Sequence, residues 1–245
     1  MILKTKLFGH SYSFGSLREV MAKANEEKSG DHLAGIAAKS AEERVAAKVV
    51  LSHITLEDLR NNPAVPYEQD EVTRIIQDDV NEKIYQEFKN MTVAEFREWL
   101  LDEKTDGEMI RRASRGITSE VVSAVCKLMG NLDLVYAASK IRISAHCNTT
   151  IGLPGTFSSR LQPNHTTDDI DGIMASVMEG FSLGCGDAVL GLNPVDDSVE
   201  NVTRILNAFH DFRCKWDIPT QCSVLAHVTT QMEAIEKMKA PVDLM

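Results

Sequence analysis

Three places in the chain carry side chains whose types and spacing suit the holding of a small polar ligand. They are Arg160 with Gln162, Asn193, and His227 with Thr229 and Thr230. Arg160 brings only hydrogen-bond donors and a fixed positive charge, whereas the amides of Gln162 and Asn193 can both donate and accept. Each place lies at or just after a short apolar or β-branched run. If those runs are parallel strands, the residues beyond their carboxyl ends gather on one rim, where α/β sheets hold their ligands. The set is neutral to cationic and contains no cysteine nucleophile. Asp187 opens its run, on the opposite rim, and Asp196 and Asp197 suit the cap of the following helix. A second reading of the same residues is a phosphate cradle built from Gly152, Gly155, Ser158, Ser159 and Arg160. Its signal is weak, because GLPG matches neither the GxGxxG nor the GxxxxGK[ST] loop. The plain alternative makes Gly152–Gly155 and Asn193-Pro194 tight turns, with Arg160 tying a loop to a carboxylate.

The elements that must position these residues follow from the pattern after residue 143. Asn148–Ile151 (NTTI) has the composition of a short buried strand, broken at Gly152, Pro154 and Gly155. Asp168 and Asp169 then open a helix whose apolar face is Ile170, Ile173, Met174, Val177, Met178 and Phe181. The run DAVLGLNP (187–194) reads as a second buried strand stopped by Asn-Pro. A helix with Val199, Val202, Ile205, Leu206, Phe209 and Phe212 inward follows it. SVLAHV (223–228) reads as a third strand, a helix begins near Thr229, and VDLM (242–245) starts like a fourth strand. Strand, loop and helix repeating at about 30 residues mark parallel βα units. A complete (β/α)8 barrel takes about 250 residues, so this stretch has room for only three to four of its units. The bare apolar end at Met245 would leave an unpaired strand edge, which leads us to expect a truncated barrel.

Before residue 140 the pattern is helical. Ser40 with Glu43, Thr92 with Glu95 and, more weakly, Thr55 with Asp58 fit the capping box. Val72–Phe88 is amphipathic, with Val72, Ile75, Ile76, Val80 and Ile84 along one side. The helix after Thr118 buries Val121, Val122, Val125 and Leu128. Residues 2–8 alternate as a short edge strand would. The fold class expected is therefore α/β: a helical region over 1–140, then a partial (β/α)8 barrel over 141–245.

Composition bounds the function classes. The 245 residues are 43% hydrophobic and 25% charged, as in ordinary globular chains. A formal net charge of −10 argues against a nucleic-acid partner, since phosphate binding wants a basic face. No apolar run approaches the roughly 20 residues of a membrane-spanning helix, and MILKTKLFGH is not a secretory signal. The five cysteines are scattered, odd in number and never in a CxxC pair, which fits reduced thiols of a cytosolic protein better than disulfides or a zinc site.

Several long strings resemble a known family. NTTIGLPGTFSSRLQPN, GCGDAVLGLNPVDDSVENVTRIL and IPTQCSVLAHVTTQMEAI resemble the heavy (large) chain of ethanolamine ammonia-lyase. Upstream, SGDHLAGIAAKSAEERVAAKVVL, VTRIIQDDVNE and GITSEVVSAV resemble the same family's helical region. The match runs in register along nearly the whole chain, about half the length of that family's heavy chain. The resemblance implies a TIM-type barrel behind a helical region. It also implies conversion of ethanolamine to acetaldehyde and ammonia by a radical route that uses adenosylcobalamin. In that family the matching arginine, glutamine and asparagine hold the substrate, which implies that role for Arg160, Gln162 and Asn193. The matching proline, Pro194, lies against the cofactor. Carboxylates from later barrel strands complete the family's site. The implied partners are ethanolamine, a light (small) chain and further heavy chains, and the implied location is the cytoplasm or a bacterial microcompartment. An alternative of a different class is a non-catalytic assembly fragment of the same subunit, with a phosphate-binding α/β protein behind it.

Overall fold

The computed structural model describes residues 2–245 and divides the chain into two units, Met1–Arg142 and Ile143–Met245. In the first unit, capping chemistry sets where helices begin. The side chains of Thr55 and Thr92 each accept from the backbone N–H three residues on, and Asp58 and Glu95 accept reciprocally from the cap N–H. Both are complete capping boxes, each satisfying two donors that a helix start would leave orphaned. Ser40 makes half of one: it accepts from Glu43 N, while the Glu43 carboxylate accepts from Lys39 N instead.

The core of this unit is a cluster that includes Leu51, Ile54, Leu56, Leu59, Val93, Phe96, Val121 and Val125, with Trp99 packed against it. Phe88, Phe96 and Trp99 meet with ring centroids 5.1–5.7 Å apart. Three sequence expectations are corrected here. The first strand, β1 (Lys4–Leu7), is not alone but turns back through Gly9 to pair antiparallel with β2 (His10–Ser13). The amphipathic stretch 72–88 is two helices, Glu71–Asp78 and Glu82–Phe88, because Asn81 caps a new start with its side chain. Its Val72 and Ile75 are exposed, as is Val122 of the later helix Ser119–Lys127.

The second unit is built on a three-stranded parallel sheet in the order β5 (Arg160–Leu161), β6 (Val189–Leu192), β7 (Gln221–Val224). Leu161 pairs with Leu190, and Leu190 with Cys222. Side chains alternate across a strand, so these residues with Leu192 and Val224 face one side. That side is the core, filled by Ile173 and Val177 of the helix Ile170–Ser182 and by Val202, Ile205, Leu206 and Phe209 of the helix Val199–Trp216. The helix Val228–Met238 adds Ala234.

The parallel strands differ from expectation in position. Thr150–Ile151 is β4, half of an antiparallel hairpin with β3 (Ala145–His146), and the first parallel strand instead contains Arg160. The third strand begins at Gln221 and ends at Val224, because His227 already caps the next helix. Val242–Met245 is not a strand, although Asp243 bonds Cys222 through its backbone N–H and its carboxylate. The sheet is open: the described residues form no closed barrel.

Candidate functional site

The polar residues of the second unit separate by which end of the sheet they occupy. At the amino ends, each of the main ones has partners. Gln221 is buried and accepts from Thr149 N at 2.8 Å, while its Nε2 donates to Thr149 Oγ1 at 2.9 Å and to the Ala188 carbonyl. Asn148 Nδ2 donates to the Thr220 carbonyl at 2.9 Å. Asp187 accepts from both the backbone N–H and the hydroxyl of Ser159, each at 2.7 Å, and these bonds hold its carboxyl below the usual aspartate value. The β3–β4 hairpin is thus fastened to this end of the sheet.

These contacts bear on the phosphate reading. Ser159 Oγ also accepts from Gly186 N, so its hydroxyl is committed, and a carboxylate occupies the space an anion would need. Gly152 and Gly155 have φ of 92° and 74°, and a Cβ on Gly152 would lie 2.3 Å from the Ile143 carbonyl. Both glycines are explained by the turn itself.

At the carboxyl ends the pattern reverses. Gln162 is one residue beyond β5 and Asn193 one residue beyond β6. Arg160 and Gln162 lie on the face opposite Leu161, away from the core. Arg160, however, opens β5 in register with Val189 and Gln221, so it sits at the amino end of its strand and not beyond the carboxyl end as the sequence led us to expect. All three side chains are exposed, and among the described residues none of them makes a hydrogen bond or ion pair. Between Gln162 and Ser223, in continuation of the strand register, stands Gly191, whose missing side chain leaves this face shallow. Pro194 is half-buried beside the exposed Val195. His227 does not join the set: its Nδ1 bonds Thr229 Oγ1 at 2.7 Å and caps the helix Val228–Met238. Asp197 accepts from His227 N and Asp196 from Ser198 N, so both nearby carboxylates are used locally.

One residue here escaped sequence reasoning. Asp168 was expected, with Asp169, to serve a helix start, and only Asp169 does so. Asp168 has φ of 50°, is 2% exposed, and accepts from Val195 N, Asp196 N and Asn201 Nδ2. Burial pushes its carboxyl pKa up, but the Asp196 and Val195 N–H groups and Asn201 outweigh that, and the net shift is downward. The available signal was the doubled aspartate before a helix that needs only one cap, together with an asparagine on the first turn of the helix that follows Ser198.

Comparison with known proteins adds the following. Residues 12–245 match the family model described as Ethanolamine ammonia lyase large subunit (EutB). The ethanolamine ammonia-lyase large subunit of Escherichia coli (strain K12) is 55% identical over 237 residues, covering 97% of this chain and 52% of that protein. The corresponding subunit of Salmonella typhimurium (strain LT2) is also 55% identical over 237 residues, with the same coverage. The chain therefore spans about half the length of the curated relatives it matches.

Proposed function

The chain belongs to the ethanolamine ammonia-lyase large-subunit family, and on that premise we propose that the whole protein converts ethanolamine to acetaldehyde and ammonia. In this reading residues 1–140 are the helical region, residues 141–245 open a (β/α)8 barrel, and Arg160, Gln162 and Asn193 hold the substrate. The observation that carries it is two exposed amide side chains beyond the carboxyl ends, Gln162 and Asn193, with the exposed Arg160 on the same face of β5 as Gln162, all three unpaired among the described residues. Solvated side chains without partners are free to hold a ligand without first breaking a bond.

Charge assigns their tasks. Ethanolamine carries an ammonium, which only donates, and a hydroxyl, which can accept. The amide oxygens of Gln162 and Asn193 suit the ammonium. Arg160 has no acceptor and a fixed charge, so it serves the hydroxyl oxygen and stays away from the cation. A buried cation without an anionic partner is costly, and Asp196 and Asp197 are engaged elsewhere. The carboxylates that complete the site then come from the remainder of the full-length subunit.

The residues also fit a large, mostly uncharged cofactor in part: Pro194 and Val195 form an apolar ledge next to Asn193. Adenosylcobalamin, when bound, supplies the radical chemistry that the side chains of this chain cannot. Pro194 would lie against it, and its fixed φ keeps that contact rigid. The partners in this reading are the light (small) chain and further large chains, within the cytoplasm or a bacterial microcompartment. No helix of the described residues is long and apolar enough to cross a membrane.

The test uses the full-length subunit with its light chain. A hydrogen bond to a charged group contributes about 1.5–3 kcal/mol, so Gln162→Ala and Asn193→Ala should each lower kcat/KM by roughly 10- to 150-fold. Neither side chain supports the fold, so melting temperatures should hold. Unchanged kinetics in both variants would remove these residues from the site.

A further inference from the structure

We propose that Asp168 is a positioning residue for this site, its buried carboxylate fixing the loop that carries Asn193 and Pro194. The inference rests on the substrate role just given to Asn193 and extends it to a residue that touches no substrate.

The loop after β6 is clamped twice, and both clamps come from the segment that follows β5. On one side, Asn164 Oδ1 accepts from Asn193 N at 2.9 Å. On the other, Asp168 accepts from Val195 N with both oxygens, at 3.0 and 2.8 Å, and from Asp196 N at 2.9 Å. Pro194 stands between the clamps, with no N–H of its own and a fixed φ. Three consecutive residues after Asn193 therefore have little freedom left. Because the segment 162–168 also begins with Gln162, the same few residues set the spacing between the two amides offered to the ammonium.

Asp168 is itself held. Asn201 Nδ2 donates to its carboxylate at 2.8 Å, and Arg204 donates to its carbonyl at 3.0 Å and to Asn201 Oδ1 at 2.7 Å. Asp168 is 2% exposed and Asn201 6%. The φ of 50° is a left-handed conformation that is unfavourable for a non-glycine residue, and aspartate is among the residues that tolerate it. A strained, buried residue held by a complete set of bonds is a rigid support. All donors facing the carboxylate are N–H groups, so an amide in its place would turn an NH2 toward them.

A helix-capping or purely stabilising role would leave each folded molecule fully active, and a double-mutant cycle distinguishes that from positioning. In the full-length subunit with its light chain, kcat/KM is measured for Asp168→Asn, Asn193→Ala and the double variant, normalised to correctly folded enzyme. Displacing a substrate-holding group by a fraction of an ångström costs about tenfold or more, which is the expected effect of Asp168→Asn. In the Asn193→Ala background the same change should cost less than about threefold, because the group it positions is gone. Asn201→Ala, which removes one donor and keeps the carboxylate, should show a smaller loss that is likewise absorbed. If Asp168→Asn fails to fold, this variant carries the cycle. A lowered melting temperature with unchanged kcat/KM, or losses that multiply in the double variant, would overturn the proposal while leaving the role of Asn193 intact. An inert Asn193→Ala would overturn both.

Discussion

The anchoring of the β3–β4 hairpin can be tested by replacing Gln221 with alanine. Gln221 is 3% exposed and spans from Thr149 to the carbonyl of Ala188, itself 7% exposed. Truncation orphans that carbonyl and the Thr149 N–H. An unsatisfied buried group costs about 1–3 kcal/mol, and Thr149, being half-exposed, can recover part of its share from water. The expected loss is about 2–4 kcal/mol for the second unit. Native-state hydrogen exchange of the β6 and β7 amides in urea measures it without assuming that both units unfold together. Gln221→Glu sharpens the test. The ionised side chain still accepts from Thr149 but sets a negative oxygen against the Ala188 carbonyl, which raises its folded-state pKa. Stability relative to the parent is then greatest below the unfolded glutamate value of about 4.3 and falls as pH rises through the folded one. A loss under about 0.5 kcal/mol in Gln221→Ala, or no pH trend in Gln221→Glu, would refute the account of this anchor.

Three further outcomes follow from the packing and hydrogen bonds of the second unit. Asp187 has a depressed pKa through its two bonds from Ser159, so its contribution is present above the ordinary value of 3.8 and lost as pH falls through the folded one. Asp187→Asn should flatten the acid limb of the second unit's thermal stability between pH 5 and 2, and an unchanged limb would discount the pair. Burial, with the Asp243 carboxylate beside it, pushes the Cys222 thiol up to about 12; iodoacetamide at pH 8 should leave it unlabelled in the native protein, as read by mass spectrometry, and labelling as fast as in urea would contradict that. Phe209→Ala, at a fully buried position between helix and sheet, should cost about 3–5 kcal/mol in urea unfolding.

What the sequence made legible was periodicity with enough length behind it. The stripes of Ile173 and Val177, and of Val202, Ile205, Leu206 and Phe209, are all fully buried, and the run before Asn193-Pro194 is a core strand. Short elements were not legible. β5 is two residues long with a single core contact, Leu161, so no apolar run announces it. The β-branched Thr150 and Ile151 do form a strand, but Cys147 N bonds the Thr149 carbonyl and the chain reverses there, so the pairing is antiparallel. Val72 and Ile75 read as a buried stripe because periodicity reports a face and not what covers it. The substrate-site residues were named through the family resemblance. The parallel register puts Gln162 and Asn193 beyond the carboxyl ends and Arg160 at the opening of β5, a place that two residues of strand do not announce.

Asp168 shows why the supporting part of a site is harder to read than the part that meets a ligand. A residue that binds from a strand end is marked by its position after an apolar run, a local pattern. A residue that braces a neighbouring loop is marked only by who donates to it, and its donors here lie 27 to 33 positions away. The two ends of the sheet differ in the same sense. At the amino ends, Gln221, Asn148 and Asp187 spend their hydrogen-bonding capacity on the protein itself. At the carboxyl ends, the side chains of Gln162 and Asn193 make no such bonds, while Asn164 and Asp168 bond the backbone around Asn193. Binding groups kept unpaired on a backbone held tight is the arrangement a small cationic substrate needs, because rigidity then costs nothing at the moment of binding.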